Sequence, residues 1–191
     1  MPIVSLNGPH AIGKTTAVKR WLDKYPSLVG VIADNQWEVR GGVYVRVREW
    51  KGDVDDKERL VRKAQDEPAV TLVDSVRTTV VNFLGPEDAA IFVVCSGPTM
   101  GRVLRARCAA NGKKFAEDYW DDRKLAYEGS ARYQNAATKF LQPYQYRFFT
   151  IEDQGRDWPA VDEYFGTLYR RLHNDLVRRR RAAARGEGVA K

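Results

Sequence analysis

Short blocks of apolar residues, separated by amphipathic stretches, recur along the 191 residues of the chain. Residues 2–7 (PIVSLN), 28–34 (LVGVIAD), 69–74 (AVTLVD), 89–95 (AAIFVVC) and 146–151 (YRFFTI) are almost free of charge. Runs of this length and character read as strands buried on both faces. Between them the spacing turns helical. Residues 14–25 form one helical stretch, stopped by Pro26; residues 53–67 start acidic and close at Pro68; residues 77–84 end at Gly85-Pro86. Residues 99–142 look helical throughout, with interruptions near Asn111-Gly112 and Gly129, and a last helix is expected from about Pro159 to Arg181. Residues 41–50 (GGVYVRVREW) alternate apolar and charged positions, as a strand or one arm of a hairpin does. Five buried strands alternating with helices predict an α/β fold: a five-stranded parallel sheet between two helical layers. No repeat or linker divides the chain, so residues 1–191 are expected to form one domain.

Composition narrows the class. A hydrophobic fraction of 43% supports a core, and 30% of the residues are charged. No apolar run approaches the ~20 residues of a membrane span. The first residues lack the charged start and cleavage site of a secretion signal. The expectation is a cytoplasmic protein with no membrane partner. Cys95 and Cys108 fit neither a metal spacing nor a disulfide framework. The net charge is +7, much of it in the last 22 residues (RRLHNDLVRRRRAAARGEGVAK). The basic tail, about 178–191, is either a contact for DNA or another polyanion, or a solvated helix end whose arginines suit the helix dipole.

The joint between the first strand and the first helix carries the most specific chemistry. Gly8-Pro9-His10-Ala11-Ile12-Gly13-Lys14-Thr15 satisfies G-x-x-x-x-G-K-[ST] in full. The placement is the one the chemistry requires. Loop amides form an anion nest, the helix N-terminus adds partial positive charge, and Gly8 and Gly13 let the backbone approach the phosphates. Lys14 reaches the β/γ-phosphates and the Thr15 hydroxyl is placed for Mg²⁺. Thr16 offers a further hydroxyl on the α-phosphate side. The donor-binding set is therefore Gly8, His10, Ala11, Ile12, Gly13, Lys14, Thr15 and Thr16, with no catalytic role for the His10 side chain. Asp74, ending the third buried strand, is the expected second group on the metal side. Asp34 ends the second strand; it is either an acceptor-orienting acid or an ordinary strand-end Asx turn.

With these motifs the chain resembles the nucleoside/nucleotide kinase group of P-loop proteins, the adenylate-kinase-like and thymidylate-kinase-like enzymes. In the adenylate-kinase branch the third strand ends in Asp-Gly-x-Pro-Arg. Here Asp74-Ser75-Val76-Arg77 is one residue shorter and lacks the proline. The resemblance implies an ATP- and Mg²⁺-dependent phosphotransferase in which Thr15 and Asp74 hold the metal. It implies a helical lid inserted at about 97–142, whose Arg102 and Arg105, three residues apart on one helix face, neutralise transition-state charge. It places Asp34, Arg48 and Arg77 on the acceptor side, with Lys14, Asp34, Arg102 and Arg105 as the catalytic set. Acceptors compatible with it are a nucleotide, a nucleoside or a nucleic-acid base, including a hydroxymethylated pyrimidine in DNA, which some phage enzymes of this group modify. The chain has no N-K-x-D, and DSVR stands where a switch GTPase has D-x-x-G. Ser75 occupies the place of an ATPase motor's catalytic glutamate. A non-catalytic, nucleotide-dependent nucleic-acid-binding ATPase is the remaining alternative.

Overall fold

The first apolar run becomes β1 (Ile3–Asn7), buried at every position, and the chain then enters α1 (Lys14–Lys24). A computed structural model describes residues 2–32, 37–40, 43–46, 58–59, 62, 69–75, 81, 83–115 and 144–185. Within these, the strands β2 (Val29–Ile32), β3 (Trp37–Arg40), β4 (Val43–Arg46), β5 (Thr71–Ser75), β6 (Ala89–Val94) and β7 (Gln145–Thr150) join β1. Two further helices are α2 (Gly97–Ala110) and α3 (Gln154–Ala184). One sheet runs β4-β3-β2-β5-β1-β6-β7. Strands β2, β5, β1, β6 and β7 are mutually parallel, as the five apolar runs predict.

The sheet is wider than the sequence reading by two antiparallel strands. β3 pairs with β2, and β4 with β3, so residues 43–46 of the alternating 41–50 stretch form the second arm of a hairpin whose first arm is 37–40. The expected helix at 77–84 is represented by 3₁₀ geometry at Val81 and Phe83, and residues 58, 59 and 62 of the 53–67 stretch are helical. Most of the predicted lid, residues 116–142, lies outside the described residues; α2 is its first helix.

Alternation along the strands sorts the core into two faces. Val4, Leu6, Leu72, Ile91 and Val93 pack with Val18, Trp21 and Leu22 of α1, Met100 and Leu104 of α2, and Val161, Phe165 and Leu168 of α3. Ile3, Val31, Val73, Ala90 and Phe92 point the other way, against Val81, Leu84 and Tyr144. Helix α1 is bound to α3 by the stacked Trp21 and Phe165 rings, 3.8 Å apart, and by Trp21 Nε1 donating to Asp162 at 2.7 Å.

Helix α3 starts five residues before Pro159. Asp153 caps it, accepting from the Gly155 and Arg156 amides at 2.9 and 3.1 Å, while Asp157 accepts from the Glu152 and Asp153 amides at 2.8 Å each. Four amides at the helix start are thus satisfied upstream of the proline. The helix then returns along the sheet: Arg171 donates to Gln145 at the start of β7, and Arg179 pairs with Glu87, just before β6, at 2.6 Å.

Register fixes what meets at the top of the sheet. Leu6 lies opposite Asp74 on one side and Ile91 on the other, so β1, β5 and β6 end side by side. The chain leaves β1 toward β2 on one side and reaches β6 and β7 on the other. In open α/β sheets this divergence, at the carboxyl ends of the strands, is where ligands bind.

Candidate active site

The loop between β1 and α1 is bounded by two glycines where a side chain does not fit. A Cβ on Gly8 would stand 2.3 Å from Val93 Cγ2 and 2.6 Å from the Val93 carbonyl oxygen, so β6 is in contact with bare backbone. Gly13 has φ +104°, and a Cβ there would meet Trp158 Nε1 at 2.9 Å. Ala11 sits at φ 62°, a left-handed conformation uncommon for a residue with a Cβ. Two of the loop's carbonyls are held from outside by α3: Ala11 O accepts from Gln154 Nε2 and Ile12 O from Trp158 Nε1, each at 3.0 Å, while Pro9 O accepts from the motif's own Lys14 Nζ at 3.0 Å. With the Ala11 and Ile12 carbonyls turned to α3, the amides across the same peptide planes face the other way, as an anion nest requires. Helix α1 has no acid in its first turn and no side-chain cap at Gly13, so its positive end is left for a ligand.

Lys14 is only 5% exposed, and its ammonium folds back over the loop. Thr15 Oγ1 donates to Asp74 Oδ2 at 2.9 Å. Asp74 is buried, and its other oxygen, Oδ1, has no hydrogen-bond partner among the described residues. Burial pushes the Asp74 carboxyl above the usual carboxylate range; the Lys14 charge and the Thr15 hydrogen bond pull against that shift without cancelling it. An unsatisfied carboxylate oxygen beside a hydroxyl, at the edge of a phosphate cradle, is a donor set suited to Mg²⁺, a hard cation that takes one or two protein oxygens and leaves the rest to phosphate and water. The expected metal pair fits the group. Beneath the loop, buried Asn7 is oriented by Ser5, whose Oγ donates to Asn7 Oδ1 at 3.0 Å.

A second set of contacts surrounds the loop at the starts of α2 and α3. Glu152 accepts from the Ser96 amide at 2.6 Å, the Ser96 hydroxyl at 2.7 Å and the Thr99 hydroxyl. These donors hold its carboxyl below the usual range. Arg102 donates to the Glu152 carbonyl at 2.6 Å and lies 3.3 Å from Thr99 Oγ1. Arg105 rests over the Phe115 ring, 5.1 Å from its centroid. Both arginines line an open groove of about 520 Å³ with Gly97, Pro98 and Gly101.

The structure thus brings Lys14, Thr15 and Asp74 together within the loop formed by Gly8, His10, Ala11, Ile12 and Gly13. Thr16 is exposed in the first turn of α1. Arg102 and Arg105 share the groove at the start of α2, where Arg102 is engaged by the segment leading into α3. Asp34, Arg48 and Arg77 lie outside the described residues. Sequence reasoning missed Glu152, Gln154 and Trp158. The only local sign was Asp153, an N-cap residue directly after a strand.

No protein-family model matches the sequence, and no curated protein matches it. Solved structures do. A shikimate kinase from Bacteroides thetaiotaomicron is 15% identical, with a TM-score of 0.53 covering 87% of this chain and 96% of that one. An uncharacterized protein from Eubacterium ventriosum is 9% identical, with a TM-score of 0.51 covering 88% and 98%. At such identities the likeness defines the fold: an α/β fold of the P-loop kinase type, built on a five-stranded parallel sheet. Among the described residues no helix is long and apolar enough to cross a membrane.

Proposed function

We propose that the protein is an ATP-dependent phosphotransferase that moves the γ-phosphoryl group to a nucleotide, nucleoside or nucleic-acid base, within the adenylate- and thymidylate-kinase-like group. The observation that carries this reading is the hydrogen bond from half-buried Thr15 to buried Asp74, beside Lys14 at the mouth of a glycine-shaped loop. The kinase-type fold, shared with a protein named a shikimate kinase, supports it.

In this reading the loop amides and the α1 N-terminus hold the donor phosphates. Lys14 exchanges the Pro9 carbonyl for a phosphate oxygen, a stronger, charge-assisted bond. Thr15 and Asp74 would hold Mg²⁺, which when bound would supply charge to offset that of the phosphates. Arg102 and Arg105 form no ion pair among the described residues, so turning either guanidinium onto a phosphate breaks no salt bridge there. Asp34 orients the acceptor hydroxyl or takes its proton, with Arg48 and Arg77 on the acceptor side.

The test is labelled ATP with Mg²⁺ against a panel of mononucleotides, nucleosides, small alcohols and DNA carrying hydroxymethylated pyrimidines. Label is expected on one acceptor, and Lys14→Ala is expected to abolish transfer. Asp34→Asn should lower turnover far more than donor affinity. Release of free phosphate alone would replace the kinase with an ATPase, and absence of any ATP binding would refute both.

A further inference from the structure

We propose that the outer face of α3 from Arg170 to Arg185 is a docking ridge for the phosphate backbone of a nucleic acid, set apart from the phosphoryl-transfer site. The charge distribution is the first argument. Residues 170–185 hold seven arginines and a single acid, Asp175, which is six of the chain's seven net positive charges. The remainder of the protein is close to neutral, so the field is concentrated on one helix end.

Helical geometry arranges this charge. Leu168, Leu172 and Leu176 face the core. At 3.6 residues per turn, Arg170, Arg171, Arg178, Arg181 and Arg185 fall within a sector of about 100° on the opposite side. All five are exposed. Arg171, Arg178 and Arg185 recur every seven residues, or about every 10.5 Å, and the ridge is roughly 22 Å long. The partners of Arg178 and Arg171 are weak competitors. Arg178 pairs with Asp175 at 2.8 Å, but the two side chains are 75% and 44% exposed, so water and salt screen the pair. Arg171 bonds a neutral amide.

The surroundings select the partner. A helix that binds a membrane surface offers its apolar face to lipid, and here that face is buried. A protein interface needs apolar or aromatic anchors, whereas the outward residues at the end of α3 are arginine and alanine. Arginine's planar fork suits repeated, sequence-independent phosphate contacts.

The ridge also lies far from the P-loop. Trp158 touches the loop, and Arg178 is twenty residues further along the helix, about 30 Å away. Arg171 and Arg179 meet Gln145 and Glu87 at the opposite edge of the sheet. That distance is roughly nine base pairs of duplex. The ridge is therefore a tether and not the acceptor pocket, and it stands independently of the kinase reading.

The experiment is fluorescence anisotropy with a labelled duplex of about 20 base pairs, and with a single strand of that length, from about 50 to about 200 mM salt. The full chain is compared with a variant combining Arg170→Ala, Arg178→Ala, Arg181→Ala and Arg185→Ala. The wild type should bind duplex with a log–log salt slope of about −4 to −5, and the variant should show a slope shallower by about 3.5 and at least about tenfold weaker binding. Transfer to a small acceptor should be unchanged in the variant, which separates this outcome from failure of the kinase reading. A second variant, Arg181→Glu with Arg185→Glu, lies beyond the last leucine of the core and guards against a folding defect, checked by circular dichroism. Wild-type affinity in the variants, no binding by the wild type at about 50 mM salt, or binding to phosphatidylserine vesicles but not to duplex would overturn the proposal.

Discussion

Replacing Asp74 by asparagine sets function against stability at a single atom. The carboxylate is 1% exposed, and one of its oxygens has no partner among the described residues. Leaving a buried polar atom unpaired costs about 1–3 kcal/mol, more when it is charged. Opposing this are the Lys14 charge and the Thr15 hydrogen bond. The Thr15 bond survives in the Asp74→Asn variant through the amide's carbonyl oxygen; the Lys14 attraction does not. Desolvation is the largest of the three influences on Asp74, so the neutral amide should stabilise the nucleotide-free protein by about 1–2 kcal/mol. For a chain of this length that is a rise of roughly 2–8 °C in Tm. Saturating Mg-ATP should reverse the order. At a hundred times Kd a ligand adds about 2.7 kcal/mol to the protein that binds it, and the neutral amide cannot supply the anionic oxygen that the proposed metal site offers. Thermal unfolding with and without Mg-ATP, and with ATP plus chelator, reads all three states. A lower nucleotide-free Tm in the variant would mean that the Lys14 attraction exceeds the burial cost. An undiminished magnesium-dependent shift would remove Asp74 from the metal site.

Gly8→Ala should destabilise the protein by about 1–3 kcal/mol through overpacking against β6; adding Val93→Ala should recover only part of this, because the Val93 carbonyl remains 2.6 Å from the new methyl. Unfolding at the wild-type temperature would show that β6 yields freely. Trp158→Phe removes the donor to the Ile12 carbonyl; a Tm lower by roughly 2–6 °C and weaker ATP binding by calorimetry are expected, and unchanged ATP affinity would mean that the loop holds its shape alone. Glu152→Gln tests the link between α2 and α3. Because the folded carboxyl is held below its usual value, its contribution is full above the unfolded pKa and fades as pH falls through the lower folded one. The variant should melt below wild type at pH 7 by about 1 kcal/mol or less, limited by solvent screening, and the gap should close in acid; a gap independent of pH would contradict the assigned hydrogen bonds.

What was legible in the sequence is what local chain chemistry dictates. The P-loop is readable because a backbone cradle needs glycine at fixed offsets, and the structure gives the reasons position by position: Val93 against Gly8, and a positive φ at Gly13. Four of the five parallel strands are readable because they are mostly buried and almost free of charge; β7, expected to be buried like them, is an edge strand whose positions are exposed or half-buried, and it is legible only from its aromatic run. The hairpin was half legible: residues 41–50 alternate as a strand or one hairpin arm does, but nothing local names the partner, and only the antiparallel pairing of β4 with β3 makes 43–46 a hairpin arm. The start of α3 was misplaced because proline favours the first helical turn, while the real boundary is set by Asp153 and Asp157 satisfying amides together. The contacts that shape the site were not legible at all. Trp158 and Ile12 are 146 residues apart, and nothing in either neighbourhood announces the other. Their meeting follows from β6 and β7 being added on one side of β1, which puts the strand ends leading into α2 and α3 beside the loop. A phosphate cradle can be read from eight residues, but its rigidity comes from the topology of the whole sheet, so mutations at Trp158 or Glu152 should act on donor binding without touching the motif.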